Sequence, residues 1–130
     1  MITKRAFLAA IAPLLAGCSR FEAAEPLPEA DRLGVTYKGF DPRRLDREII
    51  DPGQINAIIE FANARLDGWH YPIATMPAGD THVFLCKGGN IVGYIGATAG
   101  VLLRYPTKGG LKFLRNATDE ELKQFHDLLI

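Results

Sequence analysis

The residues of this chain suited to catalysis or metal binding are three histidines, His70, His82 and His126, and the cysteine Cys86. A histidine zinc site calls for a paired spacing such as His-x3-His, and none is present. Cys86 as a nucleophile needs a base beside it. His82 lies four residues earlier on the same strand face, which strand geometry puts about 13 Å away. His70 or His126 would have to reach the thiol through the fold. Free cysteine is commonly buried, so a core position is the plainer expectation for Cys86. There is no Gly-x-Ser-x-Gly elbow and no phosphate-binding loop. Gly93-Tyr94-Ile95-Gly96 lacks the third glycine and the following helix of a dinucleotide loop. Glycines in a strand instead let it bend or let another element come close. Asp41, Asp46, Asp51, Asp67 and Asp80 fall in or beside turns and caps, where aspartate serves the local backbone. No catalytic residue, metal ligand or cofactor is assigned from these patterns.

The densest unusual stretch is Asp67-Gly68-Trp69-His70-Tyr71-Pro72, which holds the only tryptophan. Trp and Tyr are favoured anchors of binding surfaces. Trp69, His70 and Tyr71 are therefore the candidate binding residues. The competing expectation folds Trp69 over the core, with its indole nitrogen bonded to a nearby carbonyl.

The amino-terminal residues carry an address. Lys4 and Arg5 make a basic start, and Ala6 to Ala16 is uncharged and mostly apolar. That run is too short for a membrane-spanning helix, which takes about 20 apolar residues. It matches the apolar region of a secretory signal peptide. Leu15-Ala16-Gly17-Cys18 follows, and this order resembles the lipobox of bacterial lipoproteins. The resemblance covers eighteen residues and implies nothing about the fold beyond them. It implies removal of residues 1–17 and a diacylglyceryl group on the Cys18 sulfur, often with a further acyl chain such as palmitate on the new amino group. Two or more chains anchor a protein stably where one holds it only reversibly. By the same resemblance Ser19 permits passage to the outer membrane. The expected location is the cell envelope, facing the periplasm or exterior.

Without Lys4 and Arg5, the fifteen basic residues fall to thirteen against fifteen acidic ones, a formal charge of −2. Nucleic-acid binding needs a clustered basic excess, so no such partner is expected. Arg43, Arg44 and Arg47 stand close together, but Asp41, Asp46 and Glu48 are interleaved, as in a solvated mixed-charge segment. If Cys18 is lipidated, Cys86 has no partner within the chain, so stability must come from packing rather than disulfides. About 100 residues suffice for one core and are too few for two.

Residues 18–31 read as a lipidated tether, with Glu22, Glu25, Pro26, Pro28 and Glu29 and no apolar period. Residues 32–130 read as a single domain. Leu33 to Lys38 predicts a strand, and Gly39 to Ile50 is irregular and charged. Asp51 to Gly68 predicts a helix, with Asp51 as cap, Pro52 at the first position and Ile55, Ile58, Ile59, Ala62 and Leu66 on one stripe. Trp69 to Asp80 reads as a long loop. Four strands follow at Thr81–Cys86, Ile91–Ala97, Val101–Tyr105 and Leu111–Arg115, spaced too closely for helical crossovers. Thr118 and Glu121 form a capping box for a last helix with Leu122, Phe125, His126 and Leu129 on one face.

The expected fold is α+β: a small, mainly antiparallel sheet of four or five strands in the order β-α-β-β-β-β-α, with both helices packed on one face. The expected function is a lipid-anchored, non-catalytic binding protein of the bacterial cell envelope. It would engage a protein or envelope component, as an inhibitor or immunity-like protein or as an accessory subunit. The alternative is a small envelope hydrolase with a site built from His70, His82 or Cys86.

Overall fold

The computed structural model describes residues 21–22, 24–37, 39–70, 80–104 and 113–130. Residues 1–17, expected to be a signal peptide, together with Cys18, Tyr71 and the rest of the stretch to residue 79, lie outside them. In chain order the elements are β1 (Phe21–Glu22), β2 (Arg32–Thr36), β3 (Arg47–Ile49), α1 (Pro52–Asn63), β4 (Trp69–His70), β5 (Thr81–Lys87), β6 (Asn90–Thr98), β7 (Val101–Arg104), β8 (Phe113–Asn116) and α2 (Asp119–Leu128). They form one sheet in the spatial order β1-β4-β8-β7-β6-β5-β2-β3, antiparallel at every pairing.

The class is α+β, and β5 to β8 form the expected meander. The sheet is wider than four or five strands because β1, β3 and β4 join it. These three are only two or three residues long, too short to carry a hydrophobic period. The β5–β6 hairpin turns at Gly88 and Gly89, with φ of +59° and +82°. Such angles suit glycine and the twist of a tight hairpin.

Both helices cover one face of the sheet. Ile55, Ile58, Ile59, Phe61 and Ala62 of α1 and Phe125 and Leu129 of the last turn pack with Leu33, Val35, Val83, Leu85, Ile95 and Leu102. Asp51 caps α1, its Oδ2 accepting from Gln54 N at 2.8 Å. The Thr118–Glu121 capping box of α2 is formed in both directions.

The first helix ends at Asn63 rather than Gly68, and the carbonyls just beyond it serve tertiary partners. Ala24 N donates to Leu66 O at 2.7 Å, and the indole of Trp69 takes Arg65 O. Asn63 clasps Leu27, accepting from its N–H at 2.7 Å and donating to its carbonyl at 3.3 Å. Ala24 and Leu27 are consequently buried. Residues 24–31 are thus packed, and the unpacked tether expected to reach Asp31 does not extend into them. Their charges and prolines face outward, which hid the two apolar contacts.

A second cluster occupies the face without helices. Phe84, Tyr94 and Leu103 are buried there, with Val101 and Leu114 against them. Gly96 lies beneath the tip of Tyr94, where an added Cβ would overlap Tyr94 Oη and stand 2.9 Å from the Thr81 carbonyl oxygen. Gly96→Ala should therefore lower stability by about 1–3 kcal/mol in urea titrations, the usual cost of overpacking. An unchanged midpoint would show that the tyrosine yields freely.

At the opposite face, Glu121 ties α2 to the chain leaving α1 and to β8. It accepts from Arg65 Nε at 2.7 Å and Arg115 Nη1 at 3.0 Å. The Arg65 hydrogen bond, helped by the Thr118 N–H and Arg115, lowers the Glu121 carboxyl from 4.5 to about 2. A carboxylate depressed in the folded state adds stability that is complete above its unfolded value and is lost as pH falls through its folded value. Stability should therefore decline from about pH 5 toward pH 2, by on the order of 2 kcal/mol from this group. Urea titrations across that range should find that part of the decline missing in Glu121→Gln.

Candidate functional site

The segment between β2 and β3 builds a surface on the helix-free face. It is closed by its own hydrogen bonds: Thr36 Oγ1 donates to Gly39 O at 2.6 Å, Tyr37 N to Asp46 Oδ2 at 2.7 Å, and Asp46 N to Val35 O at 2.9 Å. Asp41 accepts from the N–H of Arg43 at 2.9 Å, and that bond lowers its pKa from the usual carboxylate value. The mixed charges of this stretch thus support a turn, and its apolar residues fold inward over the sheet. Phe40 packs over His82, Phe84 and Tyr94, with ring centroids 5.5, 5.1 and 5.1 Å away. Leu45 approaches Gly34 so closely that a Cβ there would stand 2.7 Å from its Cδ2. Glycine at position 34 is what lets the loop lie on the strand.

Beside Leu45 a cleft of about 320 Å³ opens, lined by Arg32, Gly34, Pro42, Arg43, Leu45, Glu48, Phe84, Cys86, Gly89 and Ile91. Its floor is apolar. One wall carries the Arg32–Glu48 ion pair at 2.9 Å, with both side chains nearly half exposed. Exposed pairs of this kind contribute little to stability. Leu45 and Ile91, two of the exposed large apolar side chains of the described residues, line the cleft, and Tyr37 and Phe40 stand on the same loop.

Of the sequence-predicted binding residues, Trp69 and His70 are within the described residues, and Trp69 is not on an exposed surface. Trp69 is 1 % exposed and belongs to the helix-side core, with Nε1 donating to Arg65 O at 2.6 Å. It is a core residue, and the expectation of an exposed tryptophan anchor is corrected accordingly. The tight turn at Gly68, φ +77°, aims the ring inward. His70 is half-buried in β4, paired in register with Leu114 of β8. Tyr71 and Cys18 lie outside the described residues.

Of the residues of the hydrolase alternative, His70 is in β4, and His82 and Cys86 stand four positions apart in β5. His82 is buried on the helix-free face, its Nδ1 2.6 Å from Tyr94 Oη. His126 lies on the other face, bonded to Thr81 Oγ1 at 3.1 Å and Leu122 O at 2.8 Å. Thr81 and His82 are neighbours in one strand and point to opposite sides, so the sheet separates the two imidazoles. Cys86 is half-buried in the cleft, and its Sγ makes only a 3.9 Å contact to Phe84 O. Burial pushes its thiol up, with Arg32 opposing weakly. Among the described residues no group of three or more His, Cys, Asp or Glu is placed to hold a metal ion.

Sequence reasoning missed Phe40, Leu45 and Ile91. Their one signal was an apolar residue standing singly among charges or beside a turn. Comparison of the chain with protein-family models, with curated proteins and with solved structures finds no match.

A buried thiol held protonated reacts slowly, since the thiolate is the nucleophile. Iodoacetamide at pH 8 should label Cys86 of a Cys18→Ser chain at least about threefold more slowly in the folded than in the urea-unfolded state. Equal rates would mean that the cleft gives the thiol no protection.

Proposed function

We propose that the protein is a lipid-anchored, non-catalytic binding protein of the bacterial cell envelope, whose partner is another protein. Two features support this reading. The first is the run from Lys4 to Cys18, whose order of basic start, apolar stretch and small residues before cysteine resembles a lipoprotein leader. The second carries the site. Leu45 and Ile91, at least 40 % exposed, line one cleft of the helix-free face, and the equally exposed Phe40 packs on Phe84, which also lines it. Exposed apolar side chains scattered singly are ordinary, whereas a group rimmed by Arg32, Arg43 and Glu48 has the make-up of an interaction surface.

An inhibitor or immunity-like protein and an accessory subunit share this design, in which a small rigid domain presents a patch from a membrane. Among the described residues no helix is long and apolar enough to cross a membrane. The proposed attachment, by the order of residues before Cys18, is the lipid on its sulfur.

Two substitutions test the parts separately. Cys18→Ser should move the protein from the membrane fraction to the soluble fraction. Arg43→Glu with Ile91→Asp should leave the domain folded, since the Arg43 side chain is 89 % exposed and Ile91 is 50 % exposed, and should abolish cross-linking to a stoichiometric partner in the native membrane. Cross-linking that survives the double substitution would place the partner elsewhere on the domain.

A further inference from the structure

Arg32 and Cys86 are register partners across β2 and β5, and Cys86 and Ile91 across β5 and β6. Side chains opposite one another in a sheet share a face. A guanidinium, a thiol and an aliphatic side chain therefore stand in one row over three strands, and all three line the cleft. Two strand spacings separate the ends of the row, roughly 10 Å.

The Arg32 side chain is 46 % exposed, and its Nη1 donates to Glu48 Oε1 at 2.9 Å. Among the described residues its Nε and Nη2 donate to no other group. These two N–H groups lie on one edge of the guanidinium plane and run parallel, which fits them to both oxygens of a single carboxylate. Arg43, also in the lining, keeps 89 % of its side chain in solvent and gives Nε to Asp41 at 3.1 Å. Two guanidinium groups thus line the cleft against one carboxylate, Glu48. The carboxylates nearest to them outside the lining hold backbone N–H groups: Asp31 accepts from Gly88 N at 3.0 Å and Asp41 from Arg43 N at 2.9 Å.

We propose that the occupant of the cleft is an acidic segment of the protein partner. An apolar side chain of that segment packs on Ile91 beside Cys86, and a carboxylate next to it accepts from Arg32 Nε and Nη2, with Arg43 adding attraction from the rim. The inference rests on the reading of the cleft as a protein-binding surface and supplies the chemistry of what binds there. Glu48 competes with the incoming carboxylate for Arg32, so its charge sets how strongly the cleft selects.

In the Cys18→Ser chain Cys86 is the only thiol, and it reports from inside the cleft. That chain would be equilibrated with equal amounts of the disulfides of β-mercaptopropionate and cysteamine, probes of similar length and opposite end charge. Mass spectrometry gives the ratio of the two adducts on Cys86, folded and in urea. The unfolded ratio cancels the intrinsic preference of the probes and the charge of Lys87 next in sequence. The folded chain should favour the carboxylate adduct by at least about threefold over the unfolded one. Arg32→Gln should remove this bias, Glu48→Gln should enlarge it, and sodium chloride at about 0.5 M should shrink it. Equal ratios, a preference for the amine, or a bias that survives Arg32→Gln would overturn the proposal.

A second measurement separates the proposal from the reading beneath it. Cross-linking of the wild-type protein in its native membrane would be repeated with millimolar capped tripeptides, Glu-Leu-Glu or Lys-Leu-Lys. The acidic peptide should lower the yield of the cross-linked partner and the basic one should leave it unchanged. A partner displaced equally by both peptides, or only by the basic one, would overturn the acidic segment. A carboxylate bias on Cys86 with no partner cross-linked at all would instead overturn the protein partner and leave the selectivity of the cleft in place.

Discussion

Everything in this fold follows from the burial of β5 on both of its faces. Thr81, His82, Val83, Phe84 and Leu85 are all inaccessible. A strand buried on one side shows an alternation of apolar and polar residues, and one buried on both sides reads as a nearly unbroken apolar run. The molecule therefore needs two covers. Val83 and Leu85 are covered by the two helices and by Leu27 of the 24–31 segment. Phe84, with Tyr94 and Leu103, is covered on the other side, where Phe40 folds over the ring pair. The β2–β3 segment is thus a structural layer, and its edge forms the cleft.

Double burial also forces polar groups into the interior, and the fold treats them unequally. His82 is matched to Tyr94, Trp69 to the Arg65 carbonyl, and Arg65 and Arg115 to Glu121. Each pairing removes the cost of taking a hydrogen-bonding group out of water. Arg104 alone of these keeps two buried donors unmatched among the described residues.

The sheet order bears on how such a protein would work from a membrane. Residue 21 begins β1 at one edge, and β2 lies six strands away with the cleft beside it. At the spacing of neighbouring strands, that separation is roughly 25 Å or more. On the proposed lipid attachment at Cys18, the domain would hold its apolar cleft clear of the anchored edge. The 24–31 segment bridges the two sides, bonded to Leu66 at its start and to Cys86 and Gly88 at its end. The 24–31 segment is therefore packed rather than loose.

The features legible in the sequence are those written in local chemistry. The Thr118–Glu121 box, the Asp51 cap, the Gly88-Gly89 turn and the closely spaced strands of the meander each depend on residues within a few positions of one another. The class α+β followed from them, as did the packing of both helices on one face. What only the tertiary structure decided rests on contacts distant in sequence. The residues at and just beyond the end of α1 are tied to Ala24 and Leu27, nearly forty residues earlier. Trp69 had two readings as a sequence, and its burial was decided by space between α1 and β7 that no local pattern specifies. The cleft was invisible because Leu45 and Ile91 show no period. They meet only because β2 and β6 both flank β5. Arg104 reads as an ordinary charged strand end, and only the packing of Glu25 and Trp69 around it removes it from water.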